Sequence, residues 1–126
     1  MPQYPMQSSE TYSPDRLVAG LTQLVTENRI LVAGQSLKRG TVVGRITASG
    51  KYTLSTAAAS DGSEVPYAIL ADDYDATLGD IGPCAAYTKG EFNERAIILG
   101  TGHSLTSVRG ALRAGGIYLK PAVPLA

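Results

Sequence analysis

The chain has 126 residues and no net formal charge, 11 Lys and Arg balancing 11 Asp and Glu. Its single cysteine leaves no internal disulfide or cysteine-built zinc site, no Lys/Arg run supplies a nucleic-acid footprint, and no apolar stretch approaches the ~18 residues of a membrane span. With 14 Gly, 7 Pro, 7 Tyr and no Trp, and short Val, Ile and Thr clusters between glycines, the usage is that of one small β-rich domain.

The first 20 residues read MPQYPMQSSETYSPDRLVAG. They lack a basic segment followed by an apolar run, so no ordinary secretory signal is expected and the chain is expected to be made inside a reducing cell. Pro2, Pro5 and Pro14 break any regular helix, and Gln, Ser and Thr fill the gaps. Tyr4, Tyr12, Leu17 and Val18 punctuate this polar stretch in the way of anchors on an arm that lies along another surface. The expected organisation is an extended arm over residues 1–20 and a β-rich domain over residues 21–126. A chain this short buries only about two-thirds of its unfolded surface, so an oligomer or a large partner would add to its stability.

From residue 21 onward short strands alternate with turn signals. RILV (residues 29–32) is a strand ended by Ala33-Gly34, a turn follows at Lys38-Arg39-Gly40, and residues 41–47 form the next strand. A turn at Ser49-Gly50 leads into a strand over residues 52–55, and STAAASDGSEVP is a loop. Residues 67–72 are apolar nearly throughout, which predicts a strand buried on both faces. Strands are expected over residues 81–88 and 96–99, with KGEFNE as the turn between them. A helix is predicted over residues 105–114, because Leu105, Val108 and Leu112 share a face, Ser104 caps the start and Gly115-Gly116 ends it. Ile117-Tyr118-Leu119 is a closing strand stopped by Pro121. The fold class is mainly β with one short helix, a small barrel-like or β-clip-like domain behind an extended arm.

Charge is unevenly distributed: Asp61, Glu64, Asp72, Asp73, Asp75 and Asp80 fall in a stretch without a base. Counted as a calcium loop from Asp73, this stretch puts Asp75 at the third position and Thr77 at the fifth. It then fails where the glycine and the closing acid belong, which are Leu78 and Cys84. The acids are read instead as the wet ends of a buried strand. His103 is the only histidine, and no serine occupies a Gly-x-Ser-x-Gly elbow, so a loop role before the helix is expected for it. GTGHSL opens like a dinucleotide fingerprint but places Leu105 at the third glycine, outside any βαβ unit. Lys51, in the hairpin SGKY, stands where lipoyl and biotinyl carrier domains present their lysine, although Gly50 and Tyr52 are not the neighbours those domains use. Cys84 reads as a small buried apolar thiol. No cofactor and no metal are expected, and a ligand-binding or carrier module is the alternative function.

Four segments in order, LVAGQSLKRGTVVGRITASGKY, DGSEVPYAILADDYDA, AYTKGEFNERAI and LRAGGIYLK, resemble the head decoration proteins of tailed phages, the lambda protein D-like capsid cement family. The similarity spans roughly residues 17–120. This resemblance implies a homotrimer on the outer surface of the expanded head at three-fold and quasi-three-fold positions, made in the host cytoplasm and bound to the major capsid protein. It implies no enzyme activity, no cofactor, no direct nucleic-acid contact and no membrane. On that reading Tyr4, Tyr12, Pro14, Leu17 and Val18 of the arm meet the capsid, and Arg39, Arg45, Asp72 and Asp73 are available for contacts between subunits.

Overall fold

The computed structural model describes residues 17–18 and 23–121; the expected anchors Tyr4, Tyr12 and Pro14 lie outside them. In chain order the strands are β1 (Val25–Leu31), β2 (Ser36–Leu37), β3 (Val42–Arg45), β4 (Tyr52–Leu54), β5 (Pro66–Leu70), β6 (Tyr74–Asp75), β7 (Ile81–Asn93) and β8 (Ile117–Lys120), with the helix α1 (Leu105–Gly115) before the last. Hydrogen bonding runs β1-β4-β3-β5-β7, and β7 returns to β1, so these five strands close into a barrel. The closure is uneven. β1 and β7 pair along Val25–Leu31, whereas β1 meets β4 at the single register pair Leu31–Tyr52. β8 adds in parallel to the far end of β7, and β2 pairs with β6 as a small separate ribbon.

β5 explains why there are two cores. Ala68, Ile69 and Leu70 are all fully buried, so both faces of the strand must be covered. Ala68 and Leu70 point into the barrel with Leu31, Val43, Tyr52, Ala76, Cys84 and Ala86. Ile69 points the other way with Val42, into a cluster formed by Phe92, Val108, Leu112, Ile117 and Leu119 beneath α1. The register places Val42 opposite Ile69 and Val43 opposite Ala68, so both strands divide their side chains between the two cores. Each fully buried Leu, Ile, Val or Phe contributes about 1.5–3 kcal/mol, and neither face of β5 is tolerable in water.

The helix forms as the sequence predicts. Ser104 Oγ accepts from the Ser107 N–H at 3.2 Å, and the Ser104 N–H donates to Ser107 Oγ at 2.8 Å, a reciprocal cap. Gly116, at φ +102°, closes the helix and donates its N–H to the Arg113 carbonyl. Val108 and Leu112 are buried on the predicted face.

Three local expectations are corrected. KGEFNE is not a turn as far as Asn93, because β7 continues unbroken through residues 89–93 and the chain turns only from Glu94. Gly90 sits within that strand at φ +147° and pairs with Ile117, letting the chain swivel from its barrel partners to β8. The long-range pairing of residues 90–93 with β8 outweighs the local turn signal of the glycine. Residues 96–99 make no strand: Ile98 forms one parallel bridge with Thr41, while Ala96, Ile97 and Leu99 pack on the core beneath the helix. β1 begins at Val25 rather than Arg29, since the antiparallel partner β7 supports four more residues of polar sequence.

Close approach fixes one glycine. A Cβ on Gly44 would stand 2.0 Å from the Ser63 carbonyl oxygen, where backbone meets backbone and neither side yields. Gly44→Ala is expected to lower the unfolding free energy by about 2–3 kcal/mol or to prevent folding. Urea denaturation followed by far-UV circular dichroism checks this, and a midpoint equal to the parent's would refute the close-packing account.

Candidate functional site

The acidic stretch resolves into separate turn-fixing contacts. Asp61 Oδ1 accepts from the Ser63 N–H at 3.0 Å, and Glu64 Oε1 from the Gly62 N–H at 2.9 Å. Asp72 Oδ1 takes the Asp73 N–H at 2.8 Å, Asp73 Oδ1 the Arg39 N–H at 2.7 Å, and Asp75 Oδ1 the Thr77 N–H at 2.9 Å. Asp80 accepts from the Ala33 N–H at 2.8 Å and from Lys51 Nζ at 2.7 Å. Each carboxylate satisfies a local donor in the manner of an Asx turn or ion pair. Among the described residues no group of three or more His, Cys, Asp or Glu side chains is arranged to hold a metal ion.

The other chemical candidates are placed as follows. His103 Nε2 lies 3.0 Å from the Glu64 carbonyl and 3.2 Å from Ser55 Oγ, and Nδ1 lies 3.1 Å from Ser107 Oγ. The carbonyl can only accept, so the Nε2 proton is directed at it, and Ser55 is fully buried, out of reach of a substrate. These contacts tie the start of α1 to the loops beside it. Lys51 does sit between β3 and β4, a hairpin as expected, but its ammonium is paired with Asp80. Cys84 is buried in the barrel, and burial pushes its thiol pKa up, away from the reactive thiolate.

The residues expected at subunit contacts are engaged within their own chain. The Arg39 guanidinium donates to the Ala71 carbonyl and, at 3.3 Å, to the Tyr87 hydroxyl, and lies 5.6 Å from the Tyr87 ring centroid. Arg45 stands 5.4 Å from the ring centroid of Tyr67. Asp73 is 3.9 Å from Lys38, both side chains being largely exposed.

Of the expected anchors, Leu17 and Val18 are among the described residues. Leu17 is buried in the cluster beneath α1, its carbonyl accepts from the Asn93 N–H at 2.7 Å, and Val18 bridges antiparallel to Phe92. Both residues are therefore held at the end of β7, on the flank opposite β8. Leu17 contributes to the domain's own core in this arrangement.

A polar cluster that sequence reading passed over lines one part of the barrel. The Glu27 carboxylate accepts from Arg29 Nε at 2.7 Å, from the Tyr67 hydroxyl at 2.9 Å and from the Tyr52 hydroxyl at 3.1 Å. Arg29 reaches on to the Gly50 carbonyl at 3.3 Å. The signal lay in the alternation of VTENRIL, whose Glu27, Arg29 and Leu31 share a strand face. Partial burial by itself raises the Glu27 pKa. The hydrogen bonds from Arg29, Tyr67 and Tyr52 outweigh it and hold the carboxyl below its ordinary 4.5. Burial first, and then the neighbouring Glu27 charge, push the Tyr52 phenol well above its usual range.

Residues 6–118 match the family model of bacteriophage lambda head decoration protein D. That span covers nearly the whole chain, and the chain belongs to this family of phage capsid proteins. No curated protein matches the chain.

A carboxyl whose folded pKa is depressed stabilises the fold above its unfolded value and loses that contribution as pH falls through the folded value. Glu27 is therefore expected to add to stability above pH 4.5 and progressively less below it. Glu27→Gln should cost about 1 kcal/mol at neutral pH and flatten the acid side of the stability–pH curve. Denaturant midpoints from pH 7 down to pH 3 check this; parallel curves for parent and variant would refute it.

Proposed function

We propose that this chain decorates the outer surface of the expanded phage head as a homotrimer, at three-fold and quasi-three-fold positions, holding neighbouring capsid-protein units together against the outward pressure of packaged DNA. The family match over residues 6–118 carries this reading. A shell under pressure fails where capsomers separate. A trimer bridging several of them makes separation break its contacts together, and the gain is multivalent.

The arm is the principal shell-binding element in this reading. An extended segment can add backbone hydrogen bonds to an exposed strand edge while its side chains fill pockets. Ordering costs about 1–2 kcal/mol of backbone entropy per residue, which Tyr4, Tyr12 and the pre-set φ of Pro14 help to offset. Leu17 and Val18 serve as the arm's root: their fixed position on β7 starts the arm in a defined place. Arg39, Arg45, Asp72 and Asp73 remain candidates for contacts around the three-fold, alongside their contacts within one chain. The major capsid protein is the partner, and neither nucleic acid nor membrane is involved. The carrier alternative gains no support from Lys51, whose ammonium is occupied by Asp80.

Deleting residues 1–16 is expected to leave the thermal midpoint within a few degrees of the parent and to abolish co-sedimentation with expanded heads. Leu17→Ala, in the full chain, is expected instead to cost about 2–4 kcal/mol of stability. Undiminished head binding by the truncated chain would sink the arm's role, and an unchanged midpoint for Leu17→Ala would sink its role as a root.

A further inference from the structure

Two surface features remain without a task in the fold. The first is the turn before β7, where Leu78 is fully exposed at 102 % relative accessibility. A Cβ added to the next residue, Gly79, would meet nothing within 4 Å, so the turn stands clear of the body. Asp75 lies beside it, also exposed. A lone exposed leucine is ordinary, but a fully exposed one on a protruding turn is unusual for a side chain whose burial is worth about 2 kcal/mol.

The second is a cleft of about 460 Å³ between α1 and β8, lined by Glu91, Arg109, Arg113, Tyr118, Leu119 and Lys120. Tyr118, 40 % exposed, supplies the exposed apolar surface, while Leu119 is turned into the core at 8 % exposure. Arg109 is paired with Glu94 at 2.7 Å and Lys120 with Glu91 at 2.6 Å. Arg113 makes no ion pair among the described residues and leaves the rim of the cleft positive.

The turn presents a leucine with an acid beside it, and the cleft presents an exposed tyrosine with an unpaired base on its rim. One chain cannot bring them together. The turn immediately precedes β7 and the cleft lies at that strand's other end, about ten residues and on the order of 30 Å away. We propose that the Leu78 turn of one copy of this chain docks in the α1–β8 cleft of a second copy, Leu78 against Tyr118, with Asp75 facing Arg113. The contact joins different surfaces of the two copies, so it propagates head to tail and can close into a ring. It rests on the reading that copies associate around a three-fold, and it assigns that association a specific pair of surfaces.

Full-length Leu78→Cys and Tyr118→Cys variants, separately and mixed, test this by oxidative cross-linking in concentrated solution and on decorated heads. The buried Cys84 does not compete. The mixture is expected to give a disulfide dimer in at least ~10-fold greater yield than either variant alone, an advantage of about 1.4 kcal/mol. Adding Arg113→Glu to the Tyr118→Cys chain should return the yield to that of the single variants. Equal yields in mixture and singles in both settings, or no effect of Arg113→Glu, would overturn the contact. Co-sedimentation of the same variants with heads is read in parallel. Loss of head binding with the cross-link intact would overturn the decoration reading and leave the contact standing.

Discussion

A strand with no polar face sets the terms for the rest of this domain. Ala68-Ile69-Leu70 excludes water on both sides, and a barrel can cover only one of them. The inner face is answered by barrel closure through β1 and β4. The outer face requires a second layer, and α1 with β8 and Leu17 supplies it. β7 makes the two layers one structure: it is long enough to pair with β1 and β5 in the barrel and then, beyond Gly90, with β8 in the outer layer. The distinctive arrangement of the fold follows from the need to dress β5 twice.

The parts of this that were legible in the sequence are those governed by local chemistry. The helix, with its serine cap, its i, i+4 apolar stripe and its terminal glycines, is specified by residues close together in the chain. The two-sided burial of β5 is legible from an uninterrupted apolar run. The errors share one cause. Gly90 and the polar flanks of EFN suggest a turn, and only β8, more than twenty residues later, makes a strand of them. Residues 96–99 look like a strand for the opposite reason: their apolar side chains serve packing, while their backbone finds a single partner. Polar β1 residues before Arg29 show no strand signal of their own, and β7 supplies the reason they extend.

The candidate sites divide similarly. Carboxylates that cluster in the sequence spread out in space as separate turn contacts, because each has a backbone donor two or fewer residues away or a partner on a neighbouring loop. The polar constellation that does converge, Glu27 with Arg29, Tyr52 and Tyr67, draws on β1, β4 and β5. It is invisible to any reading confined to one window. Its position near the single-pair seam between β1 and β4 makes side-chain hydrogen bonds supplement the sparse backbone pairing there.

The seating of Leu17 and Val18 on β7 has a mechanical consequence. A force applied to the chain ahead of Leu17 would enter the domain at Leu17 and pass to β7 through the Asn93 N–H and the bridge at Phe92. β7 is the strand common to both layers, so tension there is distributed over the barrel and the helix together rather than peeling away a peripheral loop. A pull from that side would load the fold through its most connected strand, and the leucine that fills the core would act as the stopper.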